Sequence, residues 1–192
     1  MATSATTDRL YYTDDDEANA LLAREPLALL IGLALDQQVT VQKAFAGPRE
    51  IERRLGSLDA TELAGMDTAE LERVFAEKPA IHRFPGSMAK RVQELCRAIT
   101  SEYDGRAERV WTEAADGADL ERRLRGLPGF GDMKVRTALA ILAKRFGVRP
   151  AGIDDVLPKH PTLGDVDSPE ALDAYQAAKR AHKAAMRAAA GS

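Results

Sequence analysis

The segment PLALLIGLALDQQ, residues 26–38, constrains the fold more than any other part of the chain. It is apolar on nearly every side from Pro26 to Leu35, and polar residues begin abruptly at Asp36. Pro26 is suited to open a helix, because the first helical position needs no backbone N–H. A helix that is apolar all round has to run through the interior of a protein. The sequence therefore predicts a buried central helix that ends in a polar loop.

Most of the remaining chain consists of amphipathic helical patterns separated by brief glycine, proline and capping signals. Aromatic residues make up only 5% of the chain, while Ala, Leu, Glu and Arg are frequent, which favours helices. No segment is a convincing strand, so an all-α fold is predicted. Residues 148–169 contain four prolines and are predicted to be mostly loop, before a basic, Ala-rich helix closes the chain.

Charge is distributed unevenly along the chain. Residues 1–80 contain eight Lys and Arg against 15 Asp and Glu, whereas residues 81–192 contain 19 against 15. The second half would suit an anionic partner, although mixed solvated helix faces explain the same numbers. No apolar run reaches the roughly 18 residues of a membrane span, and the N-terminus lacks a signal-peptide core. A cytoplasmic protein without a membrane partner is expected.

The turn in GLPGFGDMKVRT has the features of an anion site. Gly129 and Gly131 allow positive φ and remove β-carbons that would keep a ligand away from the backbone. Exposed N–H groups at the start of the helix that follows favour an anion, helped by the helix dipole. Lys134 and Arg136 lie one turn further and are placed to neutralise a phosphate. A plain corner between two helices is the alternative interpretation.

Three blocks of the chain together resemble one family. LRGLPGFGDMKV, followed by a helix and a Phe-Gly pair, resembles the helix–hairpin–helix of the HhH-GPD superfamily of DNA base-excision glycosylases, which includes endonuclease III. LLIGLALDQQVTVQKA resembles the early buried helix of that family, which ends in a glutamine loop. FPGSMAKRVQELCRAI resembles the segment that precedes the hairpin. The blocks stand in the same order and cover about residues 25–155.

The resemblance implies a bilobal, all-helical, monomeric protein. Residues 25–146 would form a helical barrel that contains the helix–hairpin–helix at about 119–146. Residues 1–24 and 147–192 would form the second lobe. A cleft between the lobes would receive double-stranded DNA with a damaged or mispaired base, and one nucleotide would be flipped out of the duplex. The protein would then be associated with the nucleoid.

The resemblance also implies how the hairpin holds DNA. Main-chain amides of Gly129, Phe130 and Gly131 would bind the DNA backbone near the lesion, which positions the protein without reading sequence. In relatives a monovalent cation, Na⁺ or K⁺, often lies under the hairpin on backbone carbonyls, which here would be those of Arg125, Leu127 and Phe130. The Phe130 ring is expected at an exposed hairpin tip, where it can stack on a base.

The glutamine loop supplies a second set of DNA-binding candidates. Gln38 matches the family position whose side chain fills the gap left by the flipped base, and Gln37 is the neighbouring candidate. Asp36 either faces the cleft or caps the next helix. Tyr11, Tyr12 and Trp111 are aromatic residues for which the protein core is the expected location.

Glycosidic cleavage needs a carboxylate that stabilises positive charge on the sugar or activates water. The family carries such an aspartate seven residues past the Phe-Gly pair, and that position is Asp154, with Asp155 as the alternative. Gly147 lies one helical turn later than in endonuclease III, and two prolines soon follow the aspartates. A solvated loop is therefore the competing interpretation for both carboxylates.

Strand-cutting relatives carry a lysine two residues beyond the second hairpin glycine. In this chain that position is Met133, and Lys134 lies one residue later, about 100° further around a helix. The amine of Lys134 is therefore expected to meet a phosphate rather than the sugar. No Schiff-base lyase activity is predicted, and the enzyme would be monofunctional.

No cofactor beyond the optional cation is expected. Cys96 is the only cysteine, which excludes an iron–sulfur cluster and an intramolecular disulfide, and it is predicted to be an inert core thiol. His82, His160 and His182 lack metal-ligand spacing and are assigned to the surface.

Two functions follow from these observations. The first is a DNA glycosylase that removes a damaged base by water attack assisted by Asp154. The alternative is a non-catalytic helix–hairpin–helix protein that binds distorted or abasic DNA. A helical protein–protein module would require three ordered blocks to coincide by chance.

Overall fold

The computed structural model describes residues 7–191, which form eleven α-helices and one 3₁₀ turn and contain no strand. The all-α prediction is confirmed. The elements are α1 (Asp16–Arg24), α2 (Pro26–Leu35), α3 (Val41–Leu55), α4 (Ala60–Gly65), α5 (Thr68–Ala76), α6 (Pro85–Tyr103), α7 (Arg109–Thr112), α8 (Gly117–Gly126), α9 (Asp132–Arg145), α10 (Ile153–Val156), the 3₁₀ turn (Leu163–Asp165) and α11 (Pro169–Ala190).

Helix α2 is the buried central helix that its sequence predicts. Every residue from Leu27 to Leu35 is buried, and α1, α3, α6 and α9 all pack against it. Gly32 allows the closest approach: a β-carbon there would lie 2.5 Å from the Phe45 ring on α3. The apolar surface that α2 removes from water therefore stabilises the fold.

The helices around α2 begin where polar side chains cap them. Asp59, Asp67 and Asp116 each accept a hydrogen bond from a backbone N–H in the first turn of α4, α5 and α8. Helices α4 and α5 both pack on the long helix α6. These short connections fix the direction in which each helix leaves its neighbour.

The segment before α1 lies against the segment after α9. The hydroxyl of Tyr12 donates a hydrogen bond to the Leu163 carbonyl over 2.8 Å, and the Tyr12 ring packs edge-on against Phe45 with 5.0 Å between ring centroids. This contact joins two parts of the predicted second lobe. The lobe boundaries at residues 24 and 147 stay a prediction.

Among residues 7–191, no single helix is both long and apolar enough to cross a membrane. Helices α1 and α2 meet that test only as a pair, and the pair is bent by 115°.

Candidate nucleic-acid interface

The glutamine loop, residues 36–40, follows the central helix and presents Gln38. Gln38 has φ of +56°, a left-handed conformation that few residues other than glycine adopt. Its side chain is exposed and forms no hydrogen bond with any residue that the structure describes. Such strained backbone persists only where the surroundings enforce it and is concentrated at functional sites.

His82 is the residue that enforces the loop conformation. Its Nε2 lies 3.1 Å from the Leu35 carbonyl and 3.0 Å from the Gln37 carbonyl, and its Nδ1 accepts a hydrogen bond from the Phe84 N–H. This pattern matches the neutral imidazole with its proton on Nε2. Burial lowers the pKa of His82 and keeps it neutral. The surface assignment of His82 is wrong, because the side chain is only 1% exposed.

Arg91 on α6 joins the glutamine loop to the hairpin. Its Nη1 donates a hydrogen bond to the Gln37 side-chain oxygen over 2.8 Å, and a β-carbon at Gly129 would lie 2.8 Å from the Arg91 Cδ. The sequence carried no signal for this role, because one arginine on an amphipathic helix looks like any solvated cation. Gly129 is thus needed for close approach as well as for its φ of +83°.

The hairpin ends at Gly131, the N-cap of α9. Its φ is −84°, so Gly131 does not use the positive φ that glycine allows, whereas Gly129 does. No side chain in the described part of the chain caps α9, which leaves the N–H groups of its first turn without a side-chain partner there. A β-carbon at Gly131 would meet open space, and Met133 and Arg136 are exposed nearby. This end of α9 has the geometry of an anion site.

Phe130 does not present its ring to solvent. The side chain is 5% exposed and belongs to the hydrophobic core, so the predicted exposed ring at the hairpin tip is wrong. Its backbone carbonyl is one of the three that were predicted to bind a cation. Within residues 7–191, the Arg125 and Phe130 carbonyls accept no backbone hydrogen bond from a loop residue, and the Leu127 carbonyl accepts one from the Phe130 N–H at 3.1 Å. Three carbonyl oxygens with free lone pairs suit Na⁺ or K⁺ in their chemistry.

Lys134 turns from α9 towards the end of the central helix. Its Nζ donates a hydrogen bond to the Ala34 carbonyl over 2.8 Å, and the side chain is half-buried. Burial lowers the pKa of Lys134 to about 8; Arg91 lowers it further, and Asp36 acts in the opposite direction. The ammonium therefore lies between the hairpin and the glutamine loop, about 100 residues apart in the chain.

Asp36 is a half-buried carboxylate without a hydrogen-bond partner on its side chain among residues 7–191. Burial raises its pKa, and Lys179 and then Lys134 oppose that shift. Burial also raises the pKa of Tyr175 on α11, and the negative charge of Asp36 raises it further. We call Asp36, Lys134, Tyr175 and Lys179 the Asp36 cluster. The side chain that caps α3 is Thr40, which accepts a hydrogen bond from a backbone N–H. Asp36 therefore does not cap the next helix.

The aspartates predicted to be catalytic lie on α10. Asp154 and Asp155 are exposed in the single turn of α10, and Asp154 forms an ion pair with Arg149. The Gly117 N–H at the start of α8 donates to the Ala151 carbonyl over 2.8 Å. The hairpin leaves the opposite end of α8, about 14 Å away along the helix axis. Neither aspartate belongs to the Asp36 cluster.

The other aromatic and titratable candidates fall mostly where expected. Tyr12 is fully buried, and Tyr11 and Trp111 are half-buried. His160 and His182 are exposed, as predicted. Cys96 is buried with its pKa raised by burial to about 12, which confirms an unreactive core thiol.

Comparison with known proteins agrees with the geometry. The family model of the HhH-GPD superfamily base excision DNA repair proteins matches residues 31–187. No curated protein and no solved structure matches the chain. The matched residues include the second half of the central helix, the glutamine loop, the hairpin and most of α11. The chain therefore belongs to the HhH-GPD superfamily of base-excision DNA repair proteins.

Proposed function

We propose that this protein is a monomeric DNA glycosylase that flips a damaged base out of duplex DNA and hydrolyses its N-glycosidic bond. The contact between Lys134 and the Ala34 carbonyl carries this proposal, because it brings the hairpin helix to the end of α2, where the glutamine loop begins. Two segments that separately suit backbone binding and base replacement thereby meet at one site. A flipped base would lie beside the Asp36 cluster, between the two proposed lobes.

The hairpin would hold the DNA backbone. A phosphate would accept hydrogen bonds from the uncapped N–H groups at the start of α9, with Gly129 and Gly131 allowing its approach. The exposed guanidinium of Arg136 would add charge. A monovalent cation on the Arg125, Leu127 and Phe130 carbonyls would add a further positive charge to the hairpin.

Gln38 would enter the duplex where the base has left. Its amide can donate and accept hydrogen bonds, so it can pair with whichever base was left without a partner. Its exposure and its left-handed backbone suit a side chain held away from the body. Gln37 would support it rather than insert, because its side-chain oxygen already binds Arg91.

Two carboxylates are candidates for activating the attacking water. Asp154 has the family spacing, with Asp155 beside it, but Asp154 is exposed and paired with Arg149. Asp36 is half-buried, has a raised pKa and lies near Lys134. A base that accepts a proton from water works best with a pKa close to the working pH, which favours Asp36. Both remain proposals to be separated by experiment.

The reaction would leave the DNA strand intact. Met133 stands where strand-cutting relatives carry their lysine, and a thioether cannot form a Schiff base. The amine of Lys134, one position later, points to the Ala34 carbonyl. A second candidate function, binding distorted or abasic DNA without catalysis, is favoured by the exposure of Asp154 and its ion pair with Arg149.

One experiment separates these functions. The protein is incubated with duplexes that contain uracil, hypoxanthine, an alkylated purine, oxidised guanine or mismatched adenine, and the DNA is analysed with and without alkali. A glycosylase without lyase activity gives strand breaks only after alkali. If no duplex breaks but one lesion-bearing duplex binds more tightly than undamaged DNA, the protein is the non-catalytic binder.

Substitutions then assign the carboxylate. Asp154→Asn, Asp155→Asn and Asp36→Asn are compared on the duplex that is cut, with Asp167→Asn at an exposed aspartate outside α10 as the matched control. Loss of base release in only one of the three variants identifies that aspartate as the base. Undiminished release in all three would remove all three assignments.

A further inference from the structure

Helix α11 leaves the body of the protein after about two turns. Leu172 is buried and Tyr175 and Gln176 are half-buried, whereas every residue from 177 to 190 is exposed. These 14 residues extend the helix by about 21 Å. We call residues 177–190 the C-terminal arm.

The C-terminal arm carries uncompensated positive charge. It contains Lys179, Arg180, Lys183 and Arg187, and it contains no Asp or Glu. In the part of the chain that the structure describes, none of these four side chains forms an ion pair, in contrast to arginines of α3 and α8. Lys179 lies 5.9 Å from the centre of the Tyr175 ring. The arm therefore presents at least three cations to solvent.

The four basic side chains form one stripe. Successive helical residues are about 100° apart, which places the four in chain order at about 0°, 100°, 40° and 80° around the axis. Gln176 falls at about 60° on the same scale. Its amide exchanges hydrogen bonds of 2.8 and 3.3 Å with the amide of Gln42 near the start of α3. The stripe therefore runs along the side of α11 that faces the body.

The stripe begins at the candidate site. Gln176, just before the first stripe residue Lys179, is hydrogen-bonded to Gln42, two residues past the glutamine loop, and Lys179 lowers the pKa of Asp36 in that loop. The remaining cations continue from this point along the helix. DNA held between the hairpin and the glutamine loop would thus pass the arm as it leaves the site.

A solvent-exposed helix of this length gains nothing from packing, and an isolated alanine-rich helix is only marginally stable. Duplex DNA carries about one negative charge per 1.7 Å of its axis. Lys179 and Arg187 are about 12 Å apart along α11, a span that faces several phosphates. We propose that the C-terminal arm is a second DNA contact, whose basic stripe lies along the phosphates that flank the flipped base. This proposal rests on the proposed DNA-binding site.

The test is the salt dependence of duplex binding. The triple variant Arg180→Gln, Lys183→Gln and Arg187→Gln is compared with wild type on a labelled 24-base-pair duplex at several salt concentrations. Each lost phosphate contact reduces the slope of log K against log salt by about 0.9, so a reduction of about 2–3 is expected. Lys179 stays unchanged because it belongs to the Asp36 cluster.

A matched control removes the same charge elsewhere. Arg53, Arg73 and Arg106 are exposed on α3, on α5 and before α7, and the triple Gln variant at these positions should keep a slope within about one of wild type. Equal reductions in both triple variants would mean that only net charge matters, which would overturn the proposal. A wild-type slope in the arm variant would also overturn it.

A second variant tests the direction of the stripe without changing any charge. Two alanines inserted between Lys179 and Arg180 rotate Arg180, Lys183 and Arg187 by about 200° away from the body and leave Lys179 in place. The slope should fall as in the arm variant, and an unchanged slope would overturn the proposal. Sedimentation of wild type and of the arm variant gives a further check. If wild type is a dimer and the arm variant is a monomer, the partner of the arm is a second copy of the chain, which would overturn the proposal. Base release by wild type at low salt reports on the proposed function independently of these slopes.

Discussion

The Arg91 guanidinium donates a hydrogen bond to the Gln37 side-chain oxygen over 2.8 Å. The same arginine packs so closely against Gly129 that a β-carbon there would lie 2.8 Å from its Cδ. One side chain on α6 thus contacts both the glutamine loop and the hairpin. The three segments that resemble the family are therefore in contact. Arg91 fixes the position of the glutamine loop relative to the hairpin.

Replacing Arg91 with alanine should weaken binding to a duplex that contains an abasic site by about tenfold, because a charge-assisted hydrogen bond to the loop is lost. Fluorescence anisotropy with a labelled duplex measures the change. Lys90→Ala removes the same charge from the neighbouring position of α6, where Lys90 pairs with Glu72, and should change affinity less than threefold. Equal losses in the two variants would contradict a positioning role for Arg91.

The two hairpin glycines should respond differently to alanine. Gly129→Ala places a side chain at φ of +83° and against Arg91, and should lower the free energy of unfolding by about 1–3 kcal/mol. Gly131→Ala has φ of −84° and open space around the new β-carbon, so it should lose only what a poorer N-cap costs, less than about 1 kcal/mol. Urea unfolding followed by circular dichroism measures both. Similar destabilisation of the two variants would show that the hairpin differs from this geometry.

The fold followed from the sequence because each of its main features depends on local patterns. The apolar run at residues 26–35 could only be an interior helix, and aspartates stood where α4, α5 and α8 begin. The hairpin was identified from its glycines and proline. Its details were not, since the left-handed conformation at Gly129 and the extended one at Gly131 depend on what packs against each residue.

The site was less accessible from sequence because its residues act through tertiary contacts. His82 looks like a surface histidine until α2 brings two backbone carbonyls to its Nε2. For Asp36 the sequence left two roles open, facing the cleft or capping the next helix. Its partners on α9 and α11 are about 100 and 140 residues away in the chain, so no local pattern could decide between them. Phe130 was predicted to be exposed because it lies at the tip of the hairpin, whereas its ring packs in the hydrophobic core.

His82 should make stability depend on pH in a defined direction. Its folded pKa is lowered, so the unfolded chain binds the proton more readily. The stabilisation is complete above about pH 6.5, the unfolded pKa, and is lost as pH falls from there through the folded pKa. Protonated Nδ1 would also face the Phe84 N–H. Wild type should therefore lose more unfolding free energy between pH 7 and pH 5 than His82→Gln, as measured by urea denaturation.

The exposed residue His160 provides the control for this measurement. His160→Gln should lose as much stability between the two pH values as wild type does. If His82→Gln and His160→Gln behave alike, the buried imidazole does not control the acid sensitivity of the fold.

Lys134 should make DNA affinity depend on pH in the opposite direction. With its pKa lowered to about 8, most molecules carry the positive charge at pH 7, and about one in eleven carries it at pH 9. A nearby phosphate favours the charged form of Lys134. At pH 9 the lysine must therefore take up a proton when DNA binds, and affinity for duplex DNA should fall about tenfold between pH 7 and pH 9. Lys134→Arg keeps its charge throughout and should lose less than threefold. Anisotropy titrations at constant ionic strength measure both, and an equal fall in the two proteins would place Lys134 away from the DNA.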